Sequence, residues 1–173
     1  MKTLSVRQPW AYLLCAGVKD IENRTWKLPE KYKGETILIH ASADKKLDLS
    51  ALTKEKYHRA SSILTDRNKI PVIPCSQWAR SAIIGSVRFV DCVINHPSIW
   101  AEKISFSRSV ILNNDLTVKG YRVKEEKTIY NWVATDAVLF EKPILNVKGK
   151  LSFWDYDLPD EYVKLINEFD KQK

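Results

Sequence analysis

Ser5-Val6-Arg7-Gln8-Pro9-Trp10-Ala11-Tyr12-Leu13-Leu14-Cys15-Ala16-Gly17-Val18-Lys19-Asp20-Ile21-Glu22-Asn23-Arg24-Thr25-Trp26 decides how the rest of the chain is read. Ser5 to Arg7 closes an apolar alternation that begins at Leu4. Gln8 and Pro9 then open a helix, with proline at the first helical position, where its missing N–H costs nothing. Trp10, Leu13 and Leu14 fall at i, i+3 and i+4 on one face, and Gly17 supplies a left-handed residue that ends the helix. The helix is short enough to depend on packing rather than propensity. From Asp20 the period changes to two, so that Ile21, Asn23 and Thr25 face one side and Asp20, Glu22, Arg24 and Trp26 the other. Lys19 sits in the turn between helix and strand. One strand-helix-turn-strand unit thus delivers a lysine, a carboxylate, a guanidinium and an indole to one place.

Two readings of that place are open from the residues alone. In one, Glu22 and Arg24 are a solvated ion pair and Trp26 is a strand aromatic on the core. In the other, Lys19, Glu22, Arg24 and Trp26 form a binding mouth. The second is favoured by the whole stretch, since Leu4 to Trp10 followed by Gly17 to Trp26 resembles the signature of the ASCH domain, first described in a human transcriptional coactivator. Its core pattern, G-x-K-x-x-E-x-R, is filled here by Gly17, Lys19, Glu22 and Arg24. The resemblance implies an α+β fold, a PUA-like small mixed β-barrel with flanking helices, of a kind associated with RNA and modified-nucleotide recognition.

The chain has 173 residues, enough for one domain with a real core, and its 45% apolar and 28% charged residues are those of a globular protein. Its 28 Lys+Arg against 21 Asp+Glu leave a formal charge of +7. That favours a polyanionic partner without requiring one, because the lysines are spread along the chain. Cys15, Cys75 and Cys92 are isolated and odd in number, so neither a disulfide framework nor a metal site is expected. Lys2 and Arg7 precede an apolar run too short and interrupted for a signal segment, and no stretch has the length of a membrane span, so a cytoplasmic protein with no membrane partner is expected.

Beyond Trp26, a polar linker with Pro29 and Gly34 leads to Glu35 to Ser42, read as a buried strand ending in I-H-A-S, another stretch common in ASCH sequences. His40 is read as a core hydrogen-bonding residue first and a mouth residue second. Ala43 to Leu64 is the longest helical candidate, with Lys45, Lys46, Lys54, Lys56 and Arg59 on a solvated or phosphate-tracking face. Residues 43 to 80 read as a helical insertion that flanks or lids the mouth. Ala82 to Val93 is the clearest strand, and its Gly85 signals a bulge or close backbone approach. Phe106 to Asp136 gives no single reading, with Asn113-Asn114-Asp115 and Lys119-Gly120 as turn signals and Asn131 to Ala134 opening a strand. The run from Val138 through V-K-G-K (147 to 150) to Trp154 is similar to the last part of ASCH barrels, which would bring Trp154 near the mouth. A helix from about 159 to 171 closes the single domain.

The resemblance implies a binding module for RNA or a modified nucleotide or nucleoside, without cofactor. Arg24 supplies a donor fork, Lys19 a point charge and Glu22 an acceptor for exocyclic amines. Trp10, Trp26 and Trp154 are candidate stacking surfaces, and Gln8 serves a base or, preferably, the local backbone. The alternative is a small metal-free hydrolase using Lys19 and Glu22, like either of two activities of the family: removal of an acyl group from the exocyclic amine of cytidine, or ribonuclease action. For the first, Glu22 stands where the family's threonine nucleophile would be, Thr25 lies on the opposite face, and Asp91 is only a stand-in for the second carboxylate. A third reading is a protein-interaction domain with a vestigial mouth.

Overall fold

The computed structural model describes residues 1–44, 53–66 and 78–171. Its strands are β1 (Lys2–Val6), β2 (Ile21–Arg24), β3 (Thr36–Ala41), β4 (Ala82–Val93), β5 (Ser105–Leu112), β6 (Val118–Lys127), β7 (Tyr130–Ile144) and β8 (Phe153–Asp155). Helices are α1 (Trp10–Cys15), α2 (Lys54–Asp66) and α3 (Asp160–Lys171).

Six strands form one curled sheet in the order β2-β7-β4-β3-β1-β8, while β5 and β6, among the described residues, pair only with each other. Among the described residues only β1 and β3 run parallel, joined across α1 and β2; the other neighbours are antiparallel. The result is an α+β, PUA-like half-barrel. Three pieces of local chemistry bend it. Gly85 lies so close to its neighbours that a Cβ there would stand 2.1 Å from the Val138 carbonyl oxygen and 2.9 Å from Cys15 Sγ. The β4–β7 register shifts between Ile83 and Gly85, the bulge the glycine signalled. Further shifts along the same pair strengthen the local twist that curls the sheet.

The open seam between the two sheet edges is closed by side chains. Trp132 of β7, fully buried, stacks on Phe153 of β8 at 5.7 Å and 6°. Trp26, just beyond β2, meets both edge-on, at 4.5 Å and 5.6 Å. Aromatic pairs of this kind add about 0.5–1.5 kcal/mol each beyond area burial. Leu4, Val6, Leu14, Ile37, Ile39, Val87 and Phe89 fill the space beneath. A second cluster joins α1 to α2 through Tyr12, Leu13, Ala60 and Trp100. A third seats α3 on the outside through Phe140, Trp154, Leu158 and Ile166.

Several expectations are corrected in detail. The first helix starts at Trp10, with Pro9 as its cap rather than its first residue. Gly17 does end it, at φ +66°, and Val18 N–H donates back to Leu13. Phe106 to Asp136, which gave no clear reading, holds nearly all of β5, the whole of β6 and the first part of β7. Asn113 to Asp115 is the turn between β5 and β6, but Lys119-Gly120 lies within β6, where Gly120 takes a strand position opposite Ile111. Of the long helical candidate, 45–52 lie outside the described residues, as do 67–77 of the insertion; the described helix, α2, starts at Lys54.

Candidate functional site

Lys19, Glu22 and Arg24 meet in one ionic cluster. The turn after α1 places Lys19, whose Nζ donates to Glu22 Oε2 at 3.0 Å and to the Ile21 carbonyl. Arg24 Nη2 lies 3.0 Å from Glu22 Oε1 and donates to the Ser5 carbonyl at 2.9 Å. Period two carries Glu22 and Arg24 to the same side of β2, as the alternation requires. The side chains of Lys19 and Glu22 are 4% and 8% exposed, and that of Arg24 is 22%. Burial alone would raise the Glu22 carboxyl, yet attraction and hydrogen bonds from Lys19 and Arg24 hold it below the usual glutamate value. The cluster carries two cations against one carboxylate. Its only partly exposed member is a guanidinium, which lies 6.0 Å from the Trp132 ring and whose buried Nε has no acceptor among the described residues.

The other expected site residues are distributed differently. Trp26 is half-buried in the aromatic seam beside Arg24. Gln8 is buried and spends both ends of its amide on backbone, donating to Ala79 O at 2.9 Å and accepting from Tyr12 N–H at 3.1 Å. Trp10 is half-buried and meets Trp100 edge-on at 6.5 Å. Trp154 is 7% exposed in the cluster under α3, its ring 5.8 Å from His40, so it packs with the outer core rather than with Arg24. Asp91 is engaged with Lys33 at 2.8 Å and gives Lys19 no second carboxylate. Among the described residues, no group of three or more His, Cys, Asp or Glu could hold a metal ion.

His40 opens onto a feature that sequence reasoning missed. A groove of about 670 Å³ is lined by Ser5, His40, Ser42, Lys148, Gly149 and Lys150, among others. His40 itself is buried, with Nε2 2.9 Å from the Val147 carbonyl and Nδ1 3.2 Å from Ser5 Oγ. A carbonyl only accepts, so Nε2 donates its proton to Val147, and Nδ1 faces Ser5 Oγ, whose own hydroxyl donates to the Lys150 carbonyl at 3.0 Å. Burial lowers the His40 pKa, partly offset by the bond to Val147. Gly149 lies flat on this ring: a Cβ would sit 2.5 Å from its Cε1. Ser42 Oγ is buried with no hydrogen-bond partner among the described residues. Ser5 links the two features, its carbonyl accepting from Arg24 and its hydroxyl facing the groove. The available signal was the V-K-G-K run, two lysines about a glycine, which reads as a turn until the fold brings it against the ends of β1 and β3.

α2 stands beside the ionic cluster. Ala60 and Ile63 pack in the cluster of Tyr12, Leu13 and Trp100. The Lys56 amine is lowered by burial, raised by Glu102 and lowered further by Lys19.

The family model of the ASCH domain matches residues 4–144. Among solved structures, a serine-to-alanine mutant of the ASCH protein ZmASCH from Zymomonas mobilis aligns at 12% identity and TM-score 0.44, covering 96% of this chain and 94% of that one. A tyrosine-to-phenylalanine mutant of the same protein aligns at 14% identity and TM-score 0.44, covering 96% of each chain. No curated protein matches the chain.

Proposed function

The chain belongs to the ASCH domain family, and from that premise we propose that it is a binding module for RNA or a modified nucleotide, with Lys19, Glu22 and Arg24 as the recognition cluster. The observation that carries this reading is the excess cation: Lys19 and Arg24 share one carboxylate, and the part-exposed member of the trio is a guanidinium held through its Nη2 by both Glu22 and Ser5. A guanidinium held this way offers planar donors to a phosphate or a base edge with little further loss of side-chain freedom. The adjoining groove, with Lys148 and Lys150 on its lining, extends the same surface for the sugar-phosphate. α2 flanks the mouth on the side of Lys56.

The geometry supports binding over hydrolysis. A general base works best with a pKa near the operating pH, whereas Glu22 is held below the ordinary carboxylate value and both its oxygens are committed to cations. The test is a titration with unstructured single-stranded RNA at two salt concentrations, following tryptophan fluorescence, with the RNA analysed by mass afterwards. Salt-sensitive binding of intact RNA that weakens in Arg24→Ala is the expected result. Cleaved product that disappears with Glu22→Gln would establish a hydrolase instead. Binding unaffected by Arg24→Ala would remove the cluster from the site.

A further inference from the structure

The β5–β6 ribbon is the part of the molecule that the proposed mouth leaves unexplained. Among the described residues it pairs with no other strand, yet its root is fixed beside the mouth. Asn23, between Glu22 and Arg24 on β2, accepts from Glu102 N–H at 3.1 Å and from Asn131 Nδ2 at 3.0 Å, and donates to Trp100 O at 2.9 Å. Asn131 Nδ2 also donates to Glu102 O. These bonds tie β2 to the segment entering the ribbon and to the strand leaving it.

The register makes the ribbon two-faced. Phe106 is paired with Glu125, Arg108 with Val123, and Val110 with Tyr121, so Phe106, Arg108, Val110, Tyr121 and Val123 share one face. Arg122 and Lys124 alternate with them and fall on the other face, opposite Ser109 and Ser107. On the first face Phe106 is 60% and Tyr121 53% exposed, and the Arg108 guanidinium lies 3.6 Å over the Tyr121 ring. A two-stranded ribbon with so much exposed apolar surface is marginal in water on its own. A ligand with flat apolar groups and a negatively charged backbone would cover the aromatic face and reach round the edge of β6 to the basic one.

We infer that the β5–β6 ribbon is a second nucleic-acid-binding element, on which unpaired bases of a single-stranded RNA stack against Phe106 and the Arg108–Tyr121 pair while Arg122 and Lys124 meet the phosphates. Aromatic rings and guanidinium planes on an open sheet face are the surfaces that splayed bases use. Charge complementarity favours this occupant over a second copy of the chain: within 105–127, Arg108, Lys119, Arg122, Lys124 and Lys127 outnumber Asp115, Glu125 and Glu126, and two like-charged ribbons repel. A duplex hides its base faces and is the poorer ligand. The inference stands apart from the mouth, because its residues are on another sheet.

The test compares binding of unstructured single-stranded RNA, the same sequence as a duplex, and a mononucleotide, for the full chain and for Phe106→Ala/Tyr121→Ala. The double variant is expected to bind the single strand roughly ten- to a hundred-fold more weakly and the mononucleotide unchanged. Tyr121→Trp, which keeps a stacking ring, should bind at least as well as the parent, and this variant keeps the test open should the double variant fold poorly. Loss in the ribbon variant with none in Arg24→Ala sustains the ribbon and removes the mouth; loss in Arg24→Ala with none in the ribbon variant does the reverse. Equal binding of duplex and single strand, or a double variant that merely turns a sedimenting dimer into a monomer with RNA affinity intact, overturns the inference.

Discussion

Arg24 Nη2 donates to the carbonyl oxygen of Ser5 at 2.9 Å, which joins strand β2, one edge of the sheet, to β1 near the other. A residue of the recognition cluster therefore also helps close the half-barrel. Arg24→Ala should lose stability as well as affinity, by about 3 kcal/mol, since it leaves the Glu22 carboxylate buried with one cation. Arg24→Lys keeps the charge but gives up the planar guanidinium whose Nη2 serves both Glu22 and Ser5, so it should recover less than half of that loss. Urea unfolding of the three proteins reads this. Full recovery by lysine would show that charge, not the fork, is what matters.

Glu22 makes the cluster sensitive to acid. Its folded-state pKa lies below the unfolded value of about 4.3, so its stabilisation is fully present above that value and is lost as pH falls through the folded pKa. Unfolding midpoints measured at falling pH should drop in this acid range with a slope that Glu22→Gln lessens. At neutral pH the same substitution leaves Lys19 and Arg24 buried against a neutral amide and should cost about 3–5 kcal/mol. An unchanged acid slope in Glu22→Gln would mean that other carboxylates carry the transition.

How far the sequence could be read followed the range of the interactions. The α1 and β2 unit was legible because Gly17 and the alternation after Asp20 are local rules, whereas α1 proves buried all round, with Leu14 in one core cluster and Leu13 in another. β4 was legible to its end residues, and Gly85 announced its bulge. The β5–β6 ribbon was obscured because its exposed Phe106, Val110, Tyr121 and Val123 remove the usual link between apolar pattern and burial, and because Gly120 imitates a turn. Which cluster takes Trp154 is decided only by the long-range packing of α3. The groove is built from the ends of β1 and β3 and the V-K-G-K loop, distant in sequence, so no local pattern could announce it.

Gly149 tests whether that groove matters. A Cβ at this position would lie 2.5 Å from His40 Cε1, 2.8 Å from Nδ1 and 3.0 Å from Ser5 Oγ, and the ring is fixed by Val147 and Ser5. Gly149→Ala must therefore lift the loop or turn the ring, at about 1–3 kcal/mol. Thermal unfolding gives the cost, and RNA titration gives the consequence, a loss of affinity if the groove carries sugar-phosphate. A destabilised variant with undiminished affinity would confine the loop to a structural role.

His40 should make stability depend on pH in a range well above that of Glu22. Burial lowers its folded-state pKa below the unfolded value of about 6.5, so the folded state binds fewer protons as pH falls. Stability is then fully present above the unfolded value, declines as pH drops through it, and levels off below the folded pKa. The decline has a structural cause: the imidazolium is desolvated in this site, and the bond from Nε2 to Val147 offsets that only in part. Urea midpoints at intervals between pH 7 and 5 should show the decline in the parent chain and a flatter profile in His40→Gln. An NMR titration of the His40 ring assigns the effect directly, and a midpoint at or above the ordinary histidine value would refute it.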